Sequence, residues 1–273
     1  MPPSSPPRLV ATDLDGTLLR SDGSASARTV RAIQGIQQAG VEVVVATARP
    51  PRWMHDLVEV VGDHGVAICS NGAFVYDVVN RRVLSEQTLV EEVLIELVSR
   101  LREAIPGIGF AVESSAGYGR EPAYVDLLRT PANAPVADIE DLLDPLPGKL
   151  LARAPELEPR EFLHRVVDVV GEQAIVHISG TGGLAEISAA GVTKAASLVE
   201  WCARLGIAAS DVWAFGDMPN DVPMLDWAGV SFAVANAHPE AVAAATYRCA
   251  SNDEDGVARV LEHLVAGETT LKA

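Results

Sequence analysis

Two aspartates, Asp13 and Asp15, stand one residue apart at the end of a short apolar run, Leu9 to Ala11, with Gly16 directly behind them. In an extended strand, residues two apart point to the same side, so both carboxylates would project together from the strand's end. Two acids so close repel unless a cation sits between them or one is protonated. Mg2+ suits that position, because it prefers oxygen ligands and often takes only one or two carboxylates from protein. The competing reading is that one Asp caps the following turn, and on the D-x-D spacing alone it is the simpler one. Further along, Thr47 ends a second apolar run, Lys194 opens a helical pattern, and Asp217 and Asp221 follow a third run in Gly216-Asp-Met-Pro-Asn-Asp221. Singly, Thr47 reads as a helix cap ahead of Pro50-Pro51, Lys194 as a surface lysine, and the later aspartates as caps of their own helix. Lys194 fits poorly, since a helix N-terminus disfavours cations; an anion to be bound explains it better.

These groups are useful together only if the chain carries them to one place. Ser26 to Ala39 has helical spacing at Val30, Ile33 and Ile36 and stops at Gly40. Val41 to Ala46 is a β-branched run suited to a strand buried on both faces. Pro50-Pro51 is expected to start a second helix carrying Trp53, Leu57, Val60 and Val61, and Val66 to Cys69 is a third strand. Strand and helix in alternation predict an α/β fold with a mainly parallel sheet. Phe74 to Tyr76 and Arg82 to Leu84 then read as a hairpin about Asn80. Thr88-Leu-Val-Glu91 reads as a capping box opening a helix through Leu101. An irregular stretch follows, with Ser114 to Arg120 as a loop, a short helix near Ile139 to Leu143, and strand, helix, strand, strand over 149–187. Gly191 returns the chain to its first rhythm: helix Thr193 to Leu205, strand Val212 to Phe215, helix Val222 to Ala228, strand Val230 to Val234, and a last helix from Val257 to Val265. The domains so divided are a core of residues 1–82 and 190–273 and an inserted α+β domain of 83–189, with 1–7 a disordered lead-in. Open α/β sheets bind ligands at the carboxyl ends of their strands, where strand order reverses, and all the singled-out residues sit at such ends or at helix starts.

Composition excludes several classes. The 273 residues carry a net charge of −16, which argues against nucleic acid or an anionic membrane as partner. No apolar run is long enough to span a bilayer, and Met-Pro-Pro-Ser-Ser-Pro-Pro-Arg8 has no apolar core of a secretory signal. The three cysteines, Cys69, Cys202 and Cys249, form no C-x-x-C pair, and an odd count fits reduced thiols in a cytoplasmic protein.

Asp13-Leu-Asp-Gly-Thr-Leu18 resembles motif I of the haloacid dehalogenase (HAD) superfamily. Thr47, Lys194, and Asp217 with Asp221 stand at the places of its motifs II, III and IV, in order. Asn71-Gly72-Ala73, Gly191-Val-Thr-Lys194, Val234-Ala-Asn-Ala237 and Ser251-Asn-Asp-Glu-Asp-Gly256 are similar to the Cof-type branch. The resemblance implies a doubly wound, Rossmann-like core with a C2-type α+β cap inserted in it. It implies a Mg2+-dependent phosphatase acting on a small phosphate monoester, such as a sugar phosphate, through an aspartyl-phosphate. Asp13 would be the nucleophile and Asp15 the general acid and base. Asp13, Asp217 and the backbone carbonyl of Asp15 would hold the metal. Lys194, the Thr47 hydroxyl and the Asn220 amide would bind the phosphoryl oxygens, and Asp221 would orient Lys194 or a metal-bound water. The substrate would lie between core and cap, with Tyr118 and Arg120 of the loop Ser114 to Arg120 reaching the leaving group. Arg49, Trp53, Asn71, Glu186 and Asn236 are expected to be structural. Two positions depart from the branch: Ala48 and Ala195 replace glycines beside motifs II and III, each adding a methyl near the phosphate. The alternatives are a hexose phosphomutase using the same aspartyl-phosphate and, from another class, a non-enzymatic phosphoryl sensor. Sensors are shorter, lack a large insert and carry their phosphorylated Asp mid-chain.

Overall fold

The computed structural model of the chain describes residues 6–62, 65–126, 130–178 and 182–265. In chain order the first elements are β1 (Leu9–Asp13), α1 (Ala27–Gln38), β2 (Glu42–Ala46), α2 (Val58–Val61), β3 (Val66–Cys69), β4 (Phe74–Asp77) and β5 (Arg82–Glu86). There follow α3 (Glu91–Ala104), β6 (Gly109–Ser114), β7 (Gly117–Arg120), β8 (Lys149–Arg153), α4 (Pro159–Val170), β9 (Ala174–Ile178) and β10 (Ala185–Ala189). The chain ends through α5 (Lys194–Leu205), β11 (Val212–Gly216), α6 (Val222–Trp227), β12 (Val230–Ala233), α7 (Pro239–Ala244), β13 (Tyr247–Arg248) and α8 (Gly256–Val265). Two compact units result, Met1–Leu84 with Thr193–Ala273 and Ser85–Val192.

The first unit is built on an eight-stranded sheet in the order β13-β12-β11-β1-β2-β3-β4-β5. Its centre is parallel: Leu9 lies opposite both Val212 and Glu42, and Asp13 opposite Ala46, while β4 returns antiparallel to β3. The chain steps from β1 to β2 and β3 on one side, and from β11 to β12 and β13 on the other. Strand order therefore reverses between β1 and β11, where sheets of this kind leave a crevice. The strands are continuously apolar because both faces are covered: Leu9, Ala11, Val44, Ala46 and Ile68 pack with Leu198 and Cys202 of α5 and Met224 and Leu225 of α6. Side-chain caps set the helix starts. Ser26 accepts the Thr29 N–H ahead of α1, Thr193 accepts the Ala196 N–H ahead of α5, and left-handed Gly206 closes α5.

The second unit is α+β. Its antiparallel sheet runs β7-β6-β8-β10-β9, and α3 and α4 supply one wall of a core containing Leu94, Leu97, Phe110, Leu150, Phe162 and Val166. Phe110 and Phe162 are fully buried, each stabilising the unit by about 1.5–3 kcal/mol. The residues alternating with that core on the sheet's other face include Tyr118, Leu151 and the buried ion pair of Lys149 with Glu186, the structural role expected for Glu186.

Several expectations are corrected. The helix expected from Pro50-Pro51 is two 3-10 turns, Pro51–Trp53 and His55–Leu57, followed by the four-residue α2. Two prolines without N–H groups start it, the first turns close with tight bonds such as Trp53 N–H to Pro50 C=O, and Gly62 stops it at φ 75°. The capping box at Thr88 is not formed. Leu89 is buried with its N–H donated to the Pro147 carbonyl, which keeps the chain extended until Val90, and α3 starts at Glu91 with no side-chain cap. Its first turn instead carries Glu91 and Glu92, which suit the positive end of the helix dipole. Ser114 to Arg120 is no open loop but the turn and second strand of the hairpin β6–β7, with Ser114 opposite Gly117. Of the expected lead-in 1–7, residues 1–5 lie outside the described residues, and Pro7 is buried. The short α7 and β13 had no counterpart in the sequence reading. No helix among the described residues is long and apolar enough to cross a membrane.

Candidate active site

Three neighbouring parallel strands end together. Asp13 is the last residue of β1, Thr47 follows β2, and Asp217 follows β11. Lys194 opens α5, and Asp221 lies in the turn before α6. The Lys194 ammonium is 3% exposed and donates to Asp13 Oδ1 at 2.6 Å and to Asp221 Oδ1 at 2.8 Å. Asp221 is also fully buried, and its Oδ2 accepts the backbone N–H groups of Asp217 at 3.1 Å and Met218 at 3.0 Å. Its carboxylate therefore fixes both the lysine and the loop carrying Asp217. The Thr17 hydroxyl donates to Asp217 Oδ1 at 2.9 Å. Gly16 has φ 85°, and a Cβ there would stand 2.5 Å from Asp217 Oδ2. Only glycine lets the backbone turn behind Asp15 and run this close to the second acid.

The site holds more negative charge than its lysine neutralises. Carboxylate oxygens of Asp13, Asp217 and Asp221 lie within 4.8 Å of one another. Burial raises the Asp13 carboxyl well above its ordinary value; Lys194 opposes this, and Asp221 and Asp217 add to it. Asp217 is raised too, by burial first and by Asp221, against the hydroxyl of Thr17. Burial works against charge on Lys194, but Asp13 and Asp221 outweigh it and raise the lysine above its ordinary value. Asp13 Oδ2 is buried with no hydrogen-bond partner. A buried carboxylate oxygen so placed, beside two further carboxylates, is what an oxygen-seeking cation stabilises. The residues present thus fit a hard divalent metal.

The other expected groups of the first unit, Asp15, Thr47 and Asn220, are not among the bonded members of this cluster. Asp15 is half exposed, and its carboxylate accepts from Arg49 Nε at 2.8 Å and Nη2 at 2.5 Å. Thr47 is buried, and its hydroxyl accepts the Arg49 N–H at 3.1 Å. Asn220 is exposed, and its amide donates to Asn71 Oδ1 at 3.3 Å. Asn71 belongs to a turn, Ser70–Gly72, in which Ser70 and Asn71 both take left-handed φ, 53° and 57°. Such backbone costs about 1–3 kcal/mol per residue and persists where its surroundings hold it. Here the Asn71 N–H donates to the Thr47 carbonyl, and the Ser197 hydroxyl to the Gly72 carbonyl. Tyr118 and Arg120, expected on the leaving group, are engaged within their own unit: the Tyr118 hydroxyl donates to Asp126, and Arg120 lies 3.2 Å from the same carboxylate. Sequence reasoning missed Thr17, although a hydroxyl beside the flexible Gly16 was a usable signal. Arg49 and Asn71, expected to be structural, bond to the side chains of Asp15 and Asn220, which are distant in sequence, where no local pattern shows them.

Comparison with known proteins gives this geometry its relatives. A family model described as haloacid dehalogenase-like hydrolase matches residues 10–261. The putative phosphatase YxeH of Bacillus subtilis is 26% identical, over 94% of this chain and 98% of its own. A phosphoglycolate phosphatase of Methanopyrus kandleri is 27% identical, over 94% of this chain and 97% of its own. Among solved structures, the HAD phosphatase BT1666 of Bacteroides thetaiotaomicron superposes with a TM-score of 0.78 at 22% identity, covering 95% of each chain. That likeness establishes a common fold.

Proposed function

From the premise that this chain belongs to the haloacid dehalogenase-like hydrolases, we propose that it is a Mg2+-dependent phosphatase that hydrolyses a small phosphate monoester through an aspartyl-phosphate on Asp13. The observation that carries this is the state of the Asp13 carboxylate: buried, one oxygen on Lys194, the other without a partner, beside Asp217. That is a nucleophile held in place and not neutralised by a hydrogen-bond network of its own.

In the first step an Asp13 oxygen attacks phosphorus as the bond from phosphorus to the ester oxygen breaks. The proton of the Asp15 carboxylic acid passes to that oxygen, and the alcohol leaves. In the second step water gives a proton to the Asp15 carboxylate and attacks the same phosphorus. The bond to Asp13 breaks, inorganic phosphate leaves, and both aspartates regain their starting protonation. Lys194 offsets phosphoryl charge, and Asp221 keeps the ammonium in place. The Thr47 hydroxyl, which accepts the Arg49 N–H and keeps its own hydrogen to give, and the second hydrogen of the Asn220 amide donate to phosphoryl oxygens. Asp13, Asp217 and the Asp15 carbonyl would hold Mg2+, which would supply positive charge against the charge of the phosphoryl group. The second unit serves as the cap, and the protein is a cytoplasmic enzyme of small-molecule substrates.

The test is Asp13→Asn, which exchanges one carboxylate oxygen for an amide of the same shape. Release of inorganic phosphate from p-nitrophenyl phosphate should vanish while the circular dichroism spectrum stays that of the wild type. Substantial turnover by the folded variant would remove Asp13 as nucleophile. Assaying a hexose phosphate for inorganic phosphate against isomer separates hydrolysis from mutase chemistry.

A further inference from the structure

The side chain of Asp15 is 52% exposed, whereas that of Asp13 is 7% exposed. An exposed aspartate exchanges rotamers freely, yet a proton-transfer group has to be held within about 0.5 Å of its productive place. Among the described residues, the hydrogen bonds to the Asp15 carboxylate come from Arg49 alone, Nε to Oδ2 and Nη2 to Oδ1. This is the planar two-bond fork by which a guanidinium fixes a carboxylate in both position and rotation.

Arg49 is itself fixed at its root. Its N–H donates to Thr47 Oγ1 at 3.1 Å, and its carbonyl accepts the Ser70 N–H at 2.9 Å. Ser70 begins the left-handed turn after β3, and that turn is held in its strained form by three neighbours. The Asn71 N–H bonds to the Thr47 carbonyl, the Asn220 amide bonds to the Asn71 side chain, and the Ser197 hydroxyl in the first turn of α5 donates to the Gly72 carbonyl at 2.6 Å. The ends of β2 and β3 and the start of α5 thus converge to place one guanidinium.

We propose that Arg49 is the positioning residue of Asp15: the fork, rooted in the ends of β2 and β3, sets where the acid and base of the reaction stands, without contact to substrate. This rests on the phosphatase reading above. Each carboxylate oxygen has two acceptor directions, and the fork uses one on each. The other remains open to exchange a proton, with the leaving oxygen in the first step and with water in the second. Lysine, a point cation with no fork, cannot reproduce this.

The experiment compares wild type, Arg49→Ala, Arg49→Lys, Asp15→Asn and the double variant Asp15→Asn/Arg49→Ala, with Mg2+ present. Two substrates are used, glycerol phosphate, whose alkoxide needs a proton to leave, and p-nitrophenyl phosphate, whose nitrophenolate does not. Arg49→Ala should lower kcat for glycerol phosphate by roughly 10- to 100-fold with KM near the wild-type value. The single-turnover burst of nitrophenolate should fall much less. Arg49→Lys should recover only part of kcat, and it carries the comparison alone if Arg49→Ala fails to fold. In the Asp15→Asn background, removing Arg49 should cost nothing further, because a residue acting through Asp15 has nothing left to act on. A full additional loss in the double variant, or a raised KM at unchanged kcat, would mean that Arg49 binds substrate directly and would overturn the proposal. Failure of the phosphatase reading has a different signature, wild-type turnover in Asp15→Asn, and it would take the proposal with it.

Discussion

Lys194→Met tests the charge balance of the site, because methionine keeps the length of the side chain and removes its ammonium. That ammonium bonds two buried carboxylates, Asp13 and Asp221, and its loss leaves them facing each other and Asp217 without a cation. Breaking a buried pair from one side costs about 3–5 kcal/mol. For a unit of this size each kcal/mol lowers Tm by about 2–4 °C, so the variant should melt roughly 6–20 °C below wild type in EDTA near neutral pH. All four tryptophans, Trp53, Trp201, Trp213 and Trp227, belong to the first unit, so tryptophan fluorescence follows that unit alone. Asp13 and Asp217 are already raised by burial, with Lys194 opposing the shift, and without the lysine they rise further. A folded-state value above the unfolded one gives stability that is present at low pH and lost as pH rises through it. The gap between variant and wild type should therefore be small near the unfolded value of about 3.9 and widen toward neutrality. Added Mg2+ stabilises whichever protein binds it, by about 2.7 kcal/mol at a hundredfold excess over its own Kd. It should therefore narrow the gap only as far as the variant, richer in uncompensated negative charge, binds the ion more tightly than wild type. Equal melting of variant and wild type in EDTA at neutral pH, or a gap that widens on acidification, would refute this electrostatic account.

Thr17→Val removes the hydroxyl that Asp217 accepts at 2.9 Å; a bond to a charged group stabilises by about 1.5–3 kcal/mol, and loss of a partner behind a metal ligand weakens metal affinity about 10–100-fold. The Mg2+ concentration for half-maximal hydrolysis should rise accordingly, and an unchanged value would show that Thr17 does not support the site. Chelation with EDTA should stop hydrolysis of p-nitrophenyl phosphate and Mg2+ should restore it, so full activity in chelator would exclude a metal role. Burial pushes the Cys202 thiol up to about 11 and that of Cys249 up to about 12, so neither should react with a thiol reagent near pH 8 until denaturant is added. The same shifts make stability complete below the unfolded value of about 8.5 and lower as pH climbs toward those higher values, which alkaline melting curves would register.

What could be read in the sequence was whatever leaves a local pattern. Asp13, Lys194, Asp217 and Asp221 were found because each follows a buried strand or opens a helix, and the fold brings all four together. The α4 helix was legible from Pro159 to Val170, since a proline start and an apolar stripe mark it. What stayed hidden were choices made by distant partners. Thr88 had the spacing of a cap, but Leu89 was claimed by the core and by Pro147. Glycines at 117 and 119 masked the alternation of β7, so a strand read as a loop. Arg49 lies 34 positions from Asp15, and nothing in either neighbourhood announces the bond between them.

The parallel pairing of β1 with β11 has a consequence for how the chain is made. Leu9 finds Val212 as its neighbour only after the whole of Ser85–Val192 has been translated, and at about 5–20 residues per second that wait lasts on the order of 10–40 s. During it the flank of β1 toward β11 has no mate, and Asp13 has neither Lys194 nor Asp217 beside it. A ribosome that stalls inside the insertion therefore yields an inert product with a bare strand edge, prone to stick to other chains. Hydrolytic capacity arrives all at once, only when the chain beyond the insertion has been made.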